Sequence, residues 1–582
     1  MQIGAHGRIW YTVSQMKKSA LINAHHKYTL WLAALIVVPR FIGLRRIALP
    51  AETAAVASLL QRPQSAITPT ELLPFRGIEI ALAAVLLLML YNRLRPIHPV
   101  WAVIATLLVA WEPIFAAYSR LWLPKPLAAL ALLLMTVTLP DALRGEERML
   151  WLAGILGGVV LAANASLAPV VLLVSLTVLL MSPNLTVAER WLFWLAVSVV
   201  AGWAFSPAVW RHPTEFLSAA VNISFSPPTA APLLSVLAVL SPVGLLGIPG
   251  FIFRYRKWGG NTSWLPLAAI IVFGGLWLTV QPDVSPVDAL AILLPIILLA
   301  ARGWWLWLQP LSSRRKNIAL AILAAGQLAS IGWSAPYLVT FTNPLWGNLP
   351  LSARWVEIPD GVGVDAAAAW LNARPDALDG VVGTDTPQLL SPFYAGQLTA
   401  FTSPEAGYVV LTRAQQRAEK PSPTILCYYD VLMEPEFSAV VRGQVMARVY
   451  RAPVVRQAMD LPRGLDTGIL PKPLAFRLDS VAIRRGESLT VDVIWLAPPN
   501  LPPTQSVLSV RSLIRFEADM VEAEDIPPPN AEIFAETTAP LQAVATGLVV
   551  SRHQLNLPAD IPIGQYSLVA DGRPIGVVAI TP

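Results

Sequence analysis

Residues 77–94 read GIEIALAAVLLLMLYNRL, eighteen positions with a single carboxylate, Glu79, and a single guanidinium, Arg93. At about 1.5 Å of rise per residue, a helix of this length covers most of the roughly 30 Å of hydrocarbon in a bilayer. Working outward, comparable apolar runs recur near 28–44, 99–118, 124–140, 149–163, 166–182, 189–207, 233–253, 264–281, 286–305 and 316–335. Together they predict about eleven transmembrane spans. The composition agrees: 55% of the 582 residues are apolar and 13% charged, whereas soluble domains carry about 25% charged residues.

Charge divides the chain. Residues 1–349 hold 24 Lys+Arg against 11 Asp+Glu, and residues 350–582 hold 18 against 25. The overall pI near 9.4 therefore describes neither part and gives no support to nucleic-acid binding. Basic residues beside apolar spans have a topological reading instead. Arg93, Arg95, Arg144, Arg148, Arg254, Arg256, Lys257, Arg314, Arg315 and Lys316 all fall in loops that are cytoplasmic if the N-terminus is inside. An odd number of spans then places the chain after about residue 336 outside the cytoplasm. Arg8, Lys17, Lys18 and Lys27 precede the first run, which no small-residue cleavage site follows, so it reads as a retained anchor.

A lone cysteine, Cys427, closes no intramolecular disulfide, and the six histidines are scattered. No metal site and no cofactor are expected.

The C-terminal part changes period. Asp365 to Asn372 has helical spacing, Gly380 to Thr384 and Tyr408 to Thr412 are short β-branched runs, and Phe437 to Tyr450 reads as a hairpin about Arg442-Gly443-Gln444. That is an α/β unit without a glycine-rich phosphate loop. Residues 456–473 are rich in Pro and Gly and read as a linker. Beyond them, Leu489 to Trp495, Ser506 to Phe516, Leu548 to Leu557 and Gln565 to Ala570 alternate in the manner of a β-sandwich. The organisation expected is a cytoplasmic segment 1–27, a helical membrane domain 28–335, an extracytoplasmic α/β domain 336–455, the linker, and a β-sandwich 474–582.

Several short motifs bear a resemblance. They are Arg40-Phe41 with Leu49-Pro50-Ala51-Glu52, Trp111-Glu112-Pro113 with Ser119-Arg120, and Pro336-Tyr337-Leu338 with Asn343-Pro344-Leu345-Trp346-Gly347. Trp355, Gly361, Ala369-Trp370-Leu371-Asn372, Tyr408 to Leu411, Ala447 to Tyr450 and Pro558 to Ser567 continue the series. In this order they resemble the bacterial membrane glycosyltransferases of the C superfamily, close to family 39 and the aminoarabinose transferases. The resemblance implies transfer of a sugar from a polyprenyl-phosphate carrier to an acceptor on the outer face of the cell membrane. It also implies a carboxylate base and cations at the departing phosphate, where negative charge develops.

Against that pattern, the first acid of the family's Asp-Glu pair falls on Ala51, leaving Glu52 as the catalytic candidate. The second acid falls near Lys125. The loop expected to hold a Lys and an Arg-Tyr reads Gln281-Pro282-Asp283-Val284-Ser285-Pro286-Val287-Asp288. Arg45, Arg46, Arg120 and Arg211 are the candidates for phosphate or substrate binding, and Glu79 and Glu112 are costly intramembrane carboxylates that need partners. Two functions follow. One is a non-catalytic membrane subunit or scaffold that binds glycan, lipid or other membrane chains; the other is an active polyprenyl-phosphate-dependent glycosyltransferase working through Glu52.

Overall fold

The structure is a computed structural model. It describes residues 29 and 31–582 apart from 43, 48, 64–66, 182–183, 207–230, 256–263, 281–284, 347–357, 402–405, 419–425, 427–428, 430–432, 453–454, 459–471, 479, 481, 497–504, 513–531, 546–547 and 572. Two compact units emerge, one of residues 1–359 with 442–444 and one of 360–441 with 445–582.

The first unit is helical. Its elements are α1 (Trp31–Phe41), α2 (Pro50–Leu60), α3 (Pro69–Leu94), α4 (Pro99–Ala110), α5 (Pro113–Tyr118), α6 (Pro124–Arg144), α7 (Glu147–Ala163), α8 (Ala168–Leu180), α9 (Leu185–Phe205), α10 (Ala231–Val239), α11 (Pro242–Tyr255), α12 (Leu265–Val280), α13 (Leu290–Leu308) and α14 (Ser313–Ser334). Among the described residues five helices, α3, α6, α9, α13 and α14, are long and apolar enough to cross a membrane. A sixth span results if Leu233–Val239 and Pro242–Arg254, bent by 110° at their junction, are taken as one. The runs at 28–44, 166–182 and 264–281 fold as shorter apolar helices, and the run at 99–118 breaks in two.

Local chemistry sets these boundaries. Helix α3 starts eight residues before the apolar run at Gly77, because Thr68 and Glu71 form a capping box and Pro69 occupies the first turn. Pro113 and Pro242 begin new helices where an unbroken span was expected. Helices α7 and α9 approach along a glycine seam. A Cβ on Gly158 would lie 2.4 Å from Ala201 Cβ, and one on Gly154 2.5 Å from Val197 Cγ1. In lipid, where apolar side chains gain little by leaving one apolar medium for another, such close backbone packing is a principal source of helix association.

Among the described residues, the second unit carries α15 (Val364–Asn372), three helical segments of four or five residues (Pro375–Leu378, Pro387–Leu390 and Arg413–Arg417) and fifteen strands. Its first sheet contains β1 (Val381–Gly383), β2 (Gln397–Thr399), β3 (Ala406–Thr412), β4 (Phe437–Val441) and β5 (Gln444–Arg451), in the order β2-β1-β3-β5-β4. The pairs β1–β2 and β1–β3 are parallel and β3–β5 antiparallel. The expected hairpin turn is present, with Arg442 and Gly443 at φ 52° and 79°, the double left-handed geometry that joins two adjacent strands tightly.

The remaining strands are β6 (Val455–Ala458), β7 (Lys472–Leu478), β8 (Ala482–Arg484), β9 (Ser488–Leu496), β10 (Gln505–Ser512), β11 (Ile533–Pro540), β12 (Gln542–Ala545), β13 (Leu548–Asn556), β14 (Gly564–Ala570) and β15 (Arg573–Thr581). They form two five-stranded sheets, β11-β10-β14-β15-β8 and β12-β13-β9-β7-β6. One core joins them: Leu508, Val510, Leu568 and Val578 from the former pack with Leu489, Val491, Val493 and Trp495 from the latter. Alternation fixes the faces. On β13, Leu555 lies in this core while Val550 packs outward with Tyr429 and Tyr450 of the α/β layer.

Candidate functional site

Glu52 lies in the first turn of α2, where the partial positive charge of the helix N-terminus favours a carboxylate. It is wholly buried, not a solvated loop residue. Arg76 is likewise buried and lies on α3. Its Nε donates to Glu52 Oε1 at 2.6 Å and its Nη2 to Glu52 Oε2 at 2.5 Å. Nη2 also donates to the Ile47 carbonyl at 2.7 Å, and Nη1 donates to the Leu44 carbonyl. The backbone N–H of Trp122 donates to Glu52 Oε1 at 3.0 Å. This is a closed, bidentate ion pair, the strong form of an arginine–carboxylate contact.

Two more guanidiniums are buried nearby. Arg40, at the end of α1, donates from Nε to Ser119 Oγ at 2.9 Å and from Nη1 to the Ile36 carbonyl, and sits 5.3 Å over the Phe115 ring. Arg120 donates from Nε to the Ala117 carbonyl at 3.2 Å and from Nη1 to the Ile42 carbonyl. The two segments are thus laced together, each arginine reaching the other's stretch of chain. Neither has an ion-pair partner among the described residues, and the Nη2 of each is buried without a hydrogen-bond partner. Arg120 is close enough to Arg76 and Glu52 to interact with both charges.

The other candidates separate. Arg45 and Arg46 are exposed in the loop between α1 and α2. Arg211 lies outside the described residues. Residues 281–284 of the loop before α13 do as well, but its Asp288 is described and forms an ion pair with Lys125 at 2.7 Å. Ser285 Oγ donates to the same carboxylate at 2.7 Å. The unexpected cation at 125 and the unexpected carboxylate at 288 therefore neutralise each other. Glu79, on α3, is buried and its Oε1 has no partner among the described residues.

Glu112 belongs to a different kind of site. Its oxygens accept from Ser241 N at 2.8 Å, Ser241 Oγ at 2.7 Å and Gln327 Nε2 at 3.3 Å. Gln327 Nε2 also donates to the Trp111 carbonyl at 2.8 Å, and Asn343 Nδ2 donates to the Leu240 carbonyl at 2.7 Å. Both breaks, at Glu112-Pro113 and at Ser241-Pro242, have their loose backbone groups met by these side chains, so Glu112 is a structural pin. Trp495 and Tyr566 belong to the β core.

Sequence reading named Glu52 and Arg120 but missed Arg40 and Arg76 as members of the cluster. The available signal was a guanidinium at the edge of an apolar run, where an unpaired charge is costly. Among the described residues, no group of three or more His, Cys, Asp or Glu gathers to hold a metal.

No protein-family model and no curated protein matches the chain. Among solved structures, it is similar to ArnT from Cupriavidus metallidurans, in an apo state and bound to undecaprenyl phosphate, at 12% identity and TM-score 0.42, covering 73% of this chain and 98% of that one. It is similar to an oligosaccharyltransferase of Archaeoglobus fulgidus at 11% identity and TM-score 0.30, covering 91% and 88%. It is also similar to the mycobacterial arabinofuranosyltransferase AftD at 13% identity and TM-score 0.35, covering 95% and 62%. These identities and TM-scores are too low to place the chain in a family.

Proposed function

We propose that this protein is a non-catalytic membrane scaffold of the glycosyltransferase C type that holds the phosphate of an anionic lipid at Arg40 and Arg120. The observation that carries the reading is the closed Glu52–Arg76 pair. A general base needs a free lone pair within hydrogen-bond reach of the acceptor hydroxyl. Glu52 has both oxygens engaged by one guanidinium and a third bond from Trp122. The Lys125–Asp288 pair supports the same view, because it uses up the charges that stand where a second acid and a phosphate cation were expected. Arg40 and Arg120 supply the binding half: two buried cations, each with an unused donor, are relieved by an anion.

The same reading includes about eleven spans with the N-terminus cytoplasmic, the second unit outside, and its paired sheets forming a β-sandwich in the cell envelope. Other membrane subunits are its expected neighbours.

The test has two arms. Membranes containing the wild-type protein are expected to transfer no radiolabelled sugar from polyprenyl-phosphate donors above an empty-vector control. Turnover that disappears in Glu52→Gln sinks the proposal. Purified protein is expected to retain added polyprenyl phosphate, and Arg40→Met with Arg120→Met to weaken that retention by about 10- to 100-fold, as loss of charge-assisted hydrogen bonds predicts. Equal retention by both proteins removes the lipid site.

An active transferase, moving a sugar from that donor to an outer-surface acceptor, is the second reading. Glu79 favours it, as a buried carboxyl whose Oε1 is uncommitted. Turnover lost in Glu79→Gln and kept in Glu52→Gln identifies this case.

A further inference from the structure

The core between the two C-terminal sheets is apolar except at one end. There, His553 on β13 is wholly buried, with Nε2 3.0 Å from Ser506 Oγ and 2.9 Å from Ser551 Oγ. Ser506 is on β10 of the opposite sheet, so the first of these bonds crosses the interface. Ser551 Oγ accepts from Trp495 Nε1 at 2.8 Å and lies 3.4 Å from Ser506 Oγ. Ser506 and Ser551 are as buried as the imidazole, and Trp495 with them. No substrate reaches this serine–histidine contact, which excludes a hydrolytic role.

We propose that His553 is an acid-sensitive latch between the two sheets, closed while its imidazole is neutral and opened by protonation. The geometry favours the neutral form. Nε2 lies within reach of two hydroxyls, whereas Nδ1 is buried with no hydrogen-bond partner among the described residues, so an imidazolium, which must donate from both ring nitrogens, buries one N–H without an acceptor. A charge also appears in a core that, among the described residues, offers it no ion-pair partner, the expensive case for a buried group.

Groups on three neighbouring segments act on the imidazole. Asp492 on β9 and Asp571 after β14 pull its affinity for protons up, and so does the Thr537 carbonyl on β11. Both carboxylates are committed elsewhere: Asp492 to Arg552 Nε at 2.7 Å on the outer face, Asp571 to the Val507 N–H at 2.7 Å. Glu536, the carboxylate of β11, is exposed. Burial outweighs them and holds His553 below its ordinary value of 6.5. The sign follows. An opened or unfolded chain binds the proton more tightly, so the latch contributes fully above about pH 6.5 and weakens as pH falls through the lowered folded value.

The experiment is hydrogen–deuterium exchange of the full-length protein in micelles at pH 7.5 and pH 5.0, corrected for intrinsic exchange. Peptides covering β10 and β13 are expected to exchange about tenfold faster at the lower pH for each unit by which the imidazole is depressed. His553→Gln, which keeps an acceptor but cannot titrate, is expected to abolish that difference. A wild-type protein whose β10 and β13 exchange is independent of pH overturns the proposal, and so does a variant that opens like the wild type. Should the variant not fold, exchange at the histidine C2 proton of the wild type gives the imidazole pKa directly. A value below 6.5 supports the latch, and one at or above it sinks it.

Discussion

Two regions of the helical unit each bury a carboxylate completely, and they neutralise it in opposite ways. Around Glu52 the answer is a guanidinium, bidentate and fully desolvated. Around Glu112 it is three neutral donors, two from Ser241 and one from Gln327. Around Glu112 each carboxylate oxygen is matched by groups that a pair of broken helices had to satisfy anyway, and the group left over is an acceptor, Gln327 Oε1. Beside the Glu52–Arg76 pair the groups left over are donors, the Nη2 of Arg40 and that of Arg120. Buried donors left over favour an anion, which a lone acceptor does not.

Cutting one partner out of each region sharpens that contrast. Arg76→Met strands a buried carboxylate and is expected to cost about 3–5 kcal/mol, the penalty for breaking a buried pair. The loss reads as a lower unfolding midpoint of the purified protein in micelles, and Arg76→Met combined with Glu52→Gln should recover much of it. If the single substitution is tolerated, the pair does not anchor this region.

Glu112→Gln comes next. It retains the shape but presents a donor where two donors point, and is expected to cost about 1–3 kcal/mol by the same measurement. A cost as large as that of Arg76→Met breaks the distinction between neutral and ionic compensation. Lys125→Met is expected to cost least, about 0–1 kcal/mol, because the Lys125–Asp288 pair is partly exposed. Its small effect should shrink further at high salt; an effect of several kcal/mol makes that pair structural.

The sequence was most informative where a signal is local. The Arg442-Gly443 turn, the runs on β3, β9, β13 and β14, and helix α15 fall where periodicity and turn chemistry put them. The helical character of residues 77–94 was equally plain. Helix breaks were harder. Pro113 and Pro242 carry the signal, but in a 20-residue apolar run a proline is also tolerated as a kink, and choosing between the two depends on whether Glu112, Gln327 and Asn343 arrive to satisfy the freed backbone. Those partners lie on other elements. Strands β7, β11 and β15 went unread because their polar and proline residues blur the alternation.

The candidate site was half legible. Glu52 and Arg120 stood out as charges next to apolar runs, whereas Arg76 lies 24 positions from Glu52, a separation at which no pattern of spacing reports contact. Arg40 ends the first apolar helix and reads as a terminus. The pairing of Lys125 with Asp288 turned two separate oddities of sequence into one compensated exchange.

Among the described residues, strand β8 is held in its sheet by a single neighbour, β15, in parallel register with Ala482 opposite Ala579. A growing chain therefore exposes β8 long before it makes the strand that secures it. At translation rates of about 5–20 residues per second, the interval is on the order of 5–20 s. Through that wait the short edge strand is available to any passing β-strand, which makes the newly made second unit a natural client for chaperones.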